Sequence, residues 1–113
     1  MKTFSTLKSK EQKAVATFTR LLREALRDNL IEVKLFGSRV RGAARHDSDI
    51  DILVVVHQWN TTIDDTIYDL VAHTLEKLGV YLSVKVFPQE EYERLRHIPT
   101  VFFQLVSRDA IPI

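Results

Sequence analysis

The sequence predicts an α/β domain of the α+β kind, in which helices cover one side of a small mixed β-sheet. Segments with apolar residues at helical spacing alternate with short apolar runs of strand length, which is the pattern of this fold class. The chain has 113 residues, 45% of them hydrophobic, which is enough for one core and too little for two. No linker, repeat or low-complexity segment divides it. We therefore expect a single domain over residues 1–113.

The first half of the chain is predicted to contain one helix and two strands. The helix is amphipathic from Ser9 onward, and Ser9 and Gln12 are placed to form a capping box at its start. The stretch 31–36 alternates apolar and charged residues, as a half-buried strand does. The stretch 49–56 begins with polar residues and is then continuously apolar, which indicates a central strand buried on both faces.

The second half is predicted to contain one long helix followed by shorter elements. Thr61 and Asp64 are placed to cap the long helix, which ends near Gly79 because glycine favours a helix C-terminus. The later elements are a strand, two short helices that begin at prolines and an edge strand, predicted over residues 81–87, 88–96, 99–107 and 111–113.

Composition and charge exclude several classes of function. The absence of cysteine rules out disulfides, zinc–thiolate sites and thiol nucleophiles. The formal net charge is only +1, so no overall electrostatic field marks a protein that binds nucleic acid directly or an anionic membrane. The longest apolar run, Ile52 to Val56, is far shorter than the roughly 20 residues of a membrane helix. We expect a soluble, cytoplasmic protein.

The residues that point to chemistry lie between the first two strands. A Gly37-Ser38 pair leaves the first strand, and a turn there would direct backbone N–H groups and a hydroxyl at a bound triphosphate. Asp49 and Asp51 lie two residues apart on a strand, so both carboxylates project from one face and can hold one divalent cation. Mg²⁺ commonly takes one or two carboxylates together with substrate phosphate. The pattern therefore favours phosphoryl or nucleotidyl transfer.

Basic residues between these two motifs suit a polyphosphate. Arg39, Arg41 and Arg45 lie in the intervening loop, where they would contact the phosphates of a nucleoside triphosphate. For Arg39 and Arg41, pairing with Asp47 at the surface is the alternative interpretation. Lys85, on the third predicted strand, is a weaker candidate for phosphate contact.

Two other phosphate-binding motifs do not fit this loop. The spacing from Gly37 to Gly42 matches a P-loop, but Ala43 and Ala44 replace the Lys and the Ser or Thr that a P-loop requires. The dinucleotide-binding fingerprint also fails, because no second glycine follows two residues after Gly37.

Gly37-Ser38, followed by ten residues and then Asp49-x-Asp51, resembles the signature of the DNA polymerase β-type nucleotidyltransferase superfamily. The short chain and the residues around both motifs are most similar to the minimal nucleotidyltransferases, the MNT proteins of prokaryotes. The resemblance implies the nucleotidyltransferase fold, with Mg²⁺ as cofactor and ATP as nucleotide substrate. The residues it indicates are Gly37, Ser38, Arg39 and Arg41 for nucleotide binding, and Asp49 and Asp51 for catalysis and metal binding.

The resemblance also implies a protein partner. Members of this family often act as antitoxins to HEPN-domain RNases, some by transferring AMP from ATP to a tyrosine of the toxin. We therefore expect a HEPN-type toxin, or a similar helical protein encoded nearby, as partner and acceptor, in a homo- or hetero-oligomer. Two alternatives remain open: a catalytically degenerate antitoxin that acts by binding alone, and transfer to a small molecule or an RNA end.

The sequence departs from the superfamily pattern at one place. A complete two-metal site uses a third carboxylate on a later strand, and the matching stretch, Val80 to Phe87, contains no acidic residue. Ser83 is the residue expected at that position. Glu90 and Glu91 are close in sequence, but they lie in the first turn of a predicted helix, where their negative charge complements the helix dipole. Loss of one acid weakens the second metal site most, so binding of one metal ion remains expected.

Overall fold

The computed structural model describes residues 7–37 and 49–113 of the chain. Over these residues it contains four α-helices and four β-strands: α1 Ser9–Leu26, β1 Leu30–Phe36, β2 Ile50–Val56, α2 Thr61–Leu78, β3 Leu82–Pro88, α3 Gln89–Leu95, α4 Val101–Asp109 and β4 Ile111–Pro112. Each element predicted from the sequence is present, with its ends shifted by at most two residues. Within the described ranges, no helix combines the length and the apolar character that a membrane span requires.

The four strands form one mixed sheet in the order β3-β2-β1-β4. Strand β1 runs antiparallel to both β2 and β4, whereas β2 and β3 are parallel. A parallel pair needs a crossover between its strands, and α2 supplies this connection. The mixed sheet flanked by helices confirms the predicted fold class.

Strand β2 is buried on both faces, as its apolar sequence predicts. Ile52 and Val54 belong to the core formed with α1 and α2, while Leu53 and Val55 belong to a second core formed with α3 and α4. The prediction that helices cover only one side of the sheet is therefore wrong. A strand with consecutive buried residues exposes apolar side chains on both of its faces, so each face requires its own layer of helices.

The start of α1 differs from the predicted capping box. Lys8 precedes the first helical residue, and its backbone N–H donates to Oε1 of Glu11 at 2.9 Å. The side-chain amide of Gln12 instead donates to the carbonyl oxygen of Leu7 at 2.8 Å. The predicted pairing of Ser9 with Gln12 is wrong because the helix begins one residue earlier than that pairing needs.

Helix α2 is capped by a residue that sequence analysis did not select. Oδ1 of Asn60 accepts a hydrogen bond from the backbone N–H of Ile63 at 2.9 Å. Thr61 is therefore the first helical residue, and the predicted caps Thr61 and Asp64 are wrong. At the other end the prediction is confirmed, because Gly79 ends the helix with a left-handed φ of 69°.

Candidate functional site

The two acidic residues of the Asp-x-Asp motif lie at the beginning of β2. Asp51 is the second residue of the strand, and Asp49 directly precedes it. In the sheet, Asp51 pairs with Phe36 on β1 and with Ser83 on β3. Side chains alternate along a strand, so the Asp51 carboxylate lies on the same face as Leu53 and the second core. Asp49 is exposed and Asp51 is half-buried, which leaves both open to a ligand.

The electrostatics of this pair favour a bound cation. Burial raises the pKa of Asp51, the negative charge of Asp49 raises it further, and the ammonium group of Lys85 lowers it. Partial burial and a like-charged neighbour both disfavour the ionised carboxylate, and a divalent cation would relieve both effects. Two carboxylates suit one Mg²⁺ ion whose remaining ligands come from phosphate and water. The donor set present therefore fits one metal ion held by Asp49 and Asp51.

Gly37, which directly follows β1, lies against this carboxylate. It is buried and has a φ of +89°, a backbone conformation that residues with a side chain rarely adopt. A Cβ atom at this position would overlap Oδ2 of Asp51 and would lie 3.3 Å from its Cγ. Only glycine fits both this backbone conformation and this close approach. The Gly-Ser motif and the Asp-x-Asp motif therefore meet at Gly37 and Asp51. The other predicted nucleotide-binding residues, Ser38, Arg39 and Arg41, lie outside the described residues.

No third carboxylate is present on β3 beside the first two. Ser83 pairs with Asp51, as expected from the sequence, and the alternate residues before and after it are Tyr81 and Lys85. Across residues 7–37 and 49–113, no three His, Asp or Glu side chains are grouped in a way that could hold a metal ion. Glu90 and Glu91 lie in the first turn of α3, beyond the opposite end of β3. The described residues thus provide a two-carboxylate site.

Lys85, a weaker candidate for phosphate contact from the sequence, lies on the same face of the sheet as Asp51. Its Nζ lies 3.4 Å from Oγ of Ser83, the residue that pairs with Asp51. The signal available in the sequence is the spacing of two between residues 83 and 85, which places both on one face of a strand. That signal becomes informative only once the register between β2 and β3 is known.

An aromatic cluster supports the sheet beside the carboxylates. The ring of Phe102 on α4 lies 5.5 Å from that of Phe36 and 5.8 Å from that of Phe87, measured between centroids. Phe103 packs against Phe87 at 5.6 Å. Phe103 is buried in the second core, and Phe102 is partly buried and packs against it. Since Phe36 directly precedes Gly37, this cluster holds the end of β1 from which the turn leaves.

Comparison with known proteins agrees with this geometry. The family model "Nucleotidyltransferase domain" matches residues 19–106 of the chain. Over 85 residues the chain is 34% identical to a candidate protein adenylyltransferase of Methanocaldococcus jannaschii, an alignment that covers 74% of this chain and 80% of that relative.

Several solved structures have a similar fold. A candidate minimal nucleotidyltransferase is 28% identical, with a TM-score of 0.54 over 90% of this chain and 94% of that one. Spectinomycin adenyltransferase from Enterococcus faecialis, solved with ATP and spectinomycin, is 21% identical with a TM-score of 0.63, and the match covers 88% of this chain and 47% of that one. The chain therefore spans about half the length of that enzyme. A solved complex of a tri-AMPylated Shewanella oneidensis HEPN toxin with an MNT antitoxin contains a chain that is 23% identical, with a TM-score of 0.52. The match covers 90% of this chain and 70% of that one.

Proposed function

The chain belongs to the nucleotidyltransferase domain family, and on this basis we propose that it transfers AMP from Mg-ATP to a hydroxyl group of a partner protein. The relative that is 34% identical is itself a candidate protein adenylyltransferase. At the level of fold alone, the chain is also similar to the complex of a HEPN toxin with an MNT antitoxin. The proposed acceptor is therefore a HEPN-type toxin or a similar helical protein encoded nearby.

The observation that carries this proposal is the close approach of Gly37 to the carboxylate of Asp51. Phosphates bound along the turn would lie beside a metal ion held by Asp49 and Asp51. When bound, Mg²⁺ supplies positive charge to the phosphate oxygens at the position where negative charge develops during transfer. Ser38 and the two arginines that follow it are proposed to bind the rest of the triphosphate.

The proposed reaction is a displacement at the α-phosphorus of ATP. The acceptor hydroxyl oxygen forms a bond to this phosphorus, while the bond from the phosphorus to the oxygen bridging to the β-phosphate breaks. Pyrophosphate leaves with the electron pair, and the hydroxyl proton passes to water. The role of the chain is to bind, align and neutralise charge, which is how most phosphoryl-transfer enzymes act. A single domain over residues 1–113 would supply this machinery, and the partner would supply the acceptor.

The test is transfer of label from ATP carrying a radioactive α-phosphate to the protein encoded beside this chain. We expect label on the partner with the wild-type chain and none with the double variant Asp49→Asn, Asp51→Asn, because the amides keep the shape but lose metal affinity. The matched control is Asp65→Asn, Asp69→Asn, which removes two negative charges from exposed positions of α2. Transfer that survives the first double variant would contradict the assignment of these carboxylates.

A second candidate function is favoured by the two-carboxylate site. The described residues place no third acid at this site. A site with two acids would also suit an antitoxin that silences its partner by contact alone. This function predicts that the Asp49→Asn, Asp51→Asn variant binds and inhibits the partner as well as the wild-type chain does, with no label transferred by either. Failure to copurify with the neighbouring protein would count against both candidates.

A further inference from the structure

The side chain of Lys85 lies on the same face of the sheet as the carboxylates. Lys85 and Ser83 are alternate residues of β3, and Nζ of Lys85 donates to Oγ of Ser83 at 3.4 Å. Ser83 pairs with Asp51 across the parallel register. Lys85 therefore lies on the strand next to that of Asp51 and on the same face of the sheet, and its positive charge lowers the pKa of the Asp51 carboxyl.

Lys85 and the lysine on the other side of β2, Lys34, differ in the residues that contact their ammonium groups. Lys34 and Lys85 both pair with Leu53, one from β1 and one from β3. Lys34 makes an ion pair with Glu32, with an N···O distance of 3.7 Å. No ion pair joins Lys85 to any other residue in the described part of the chain, where its recorded partner is the neutral Ser83 hydroxyl. Among the described residues, the positive charge of Lys85 is thus not neutralised by an ion pair, and it lies on the face of the sheet that carries Asp51.

We propose that Lys85 is the fixed cation of this site and takes the place of a second divalent metal ion, so that the chain binds a single metal ion. The inference rests on the proposed nucleotidyl transfer. Two carboxylates balance the charge of one divalent cation, and a second ion would need a further acid. Beside Asp51 on β3 it would meet the hydroxyl of Ser83 and a positive charge that repels it. An ammonium group can itself contact a phosphate oxygen as a point charge.

The number and spacing of bound Mn²⁺ ions test this inference without measuring transfer. Two Mn²⁺ ions in a shared site lie about 3.5–4 Å apart and broaden each other's electron paramagnetic resonance through dipolar coupling. With Mn²⁺ and the non-hydrolysable analogue α,β-methylene ATP, we expect one uncoupled ion per wild-type chain. Lys85→Arg keeps the charge and should also hold one ion. The double variant Ser83→Asp, Lys85→Met restores an acid, removes the cation and should hold a coupled pair.

A single substitution keeps the test decisive if the double variant does not fold. Lys85 is exposed, so Lys85→Met should leave the circular dichroism spectrum unchanged. With Mn²⁺ alone, its affinity should increase about two- to fivefold, the range for removing one exposed charge. Lys13→Met is the matched control, because it removes an exposed lysine from α1, on the opposite side of the sheet. We expect no change in Mn²⁺ affinity there.

The outcomes separate this inference from the proposed function. A coupled Mn²⁺ pair in the wild-type chain would overturn the inference while leaving nucleotidyl transfer intact. The same holds if Lys85→Met leaves Mn²⁺ affinity unchanged, or if the folded double variant still holds one uncoupled ion. Absence of any bound Mn²⁺ in the wild-type chain, even with the nucleotide analogue, would overturn both proposals.

Discussion

Replacing Gly37 with alanine should weaken both the stability of the chain and metal binding. Gly37 has a φ of +89°, where a residue with a Cβ costs about 1–2 kcal/mol. The new Cβ would also overlap Oδ2 of Asp51, which forces this carboxylate away from its rotamer at about 0.5–1.5 kcal/mol. The expected loss is about 1.5–3.5 kcal/mol of unfolding free energy. Because the displaced group is a proposed metal ligand, we expect Mn²⁺ affinity to fall at least about tenfold.

Gly79→Ala is the matched control for this variant. Gly79 also has a left-handed φ, of +69°, but its Cβ would meet only the end of the flexible Lys10 side chain, with Nζ at 3.0 Å. The backbone cost of about 1–2 kcal/mol should therefore appear alone. Urea unfolding followed by the fluorescence of Trp59, the single tryptophan, gives both free energies. Mn²⁺ affinity should be unchanged in Gly79→Ala.

A double-mutant cycle isolates the overlap itself. In an Asp51→Ala background the side chain that clashes is gone, so Gly37→Ala should cost only the backbone term, as Gly79→Ala does. The expected coupling energy between Gly37→Ala and Asp51→Ala is about 0.5–1.5 kcal/mol. If Gly37→Ala costs the same with and without Asp51, the turn does not press against the carboxylate and the reasoning is refuted.

Three further predictions concern single residues. The pKa of Asp51 is raised in the folded chain, so its contribution to stability is present below its unfolded pKa and lost as pH rises through the folded value. Asp51→Asn should thus be more stable than the wild-type chain in urea at pH 7, with the difference shrinking toward pH 4. Asn60→Ala removes the cap of α2 and should cost about 0.5–2 kcal/mol in the same assay. Burial first, and then Asp64 and Tyr81, raise the pKa of Tyr68. Stability should therefore fall as pH rises above 10, and Tyr68→Phe should reduce this loss in urea unfolding at high pH.

The sequence was sufficient for features that depend on local chemistry. A continuous apolar run predicted the two-sided burial of β2, and Gly79 marked the end of α2 because few other residues adopt its backbone conformation. The Asp-x-Asp spacing placed two carboxylates together because the period of a strand is two.

Features that depend on tertiary contacts were missed. The cap of α2 at Asn60 depends on where the helix begins, and that boundary is set by packing as well as by local sequence. The second layer of helices follows from the aromatic residues of α3 and α4 meeting one face of β2. The position of Lys85 on the same face as Asp51 depends on strand register, since a shift of one residue would place it on the opposite face.

Because β2 is shared by two cores, hydrogen exchange along it should be governed by global unfolding. Local opening of α3 and α4 exposes one face of the strand, while α1 and α2 keep the other face covered. The backbone amides of Val54 and Leu53, which pair within the interior of the sheet, should therefore exchange among the slowest in the chain. On this expectation, the carboxylates are attached to a strand that opens only when the whole domain unfolds. A partner that rearranges α4 on binding would alter the surroundings of these carboxylates without moving the strand that holds them.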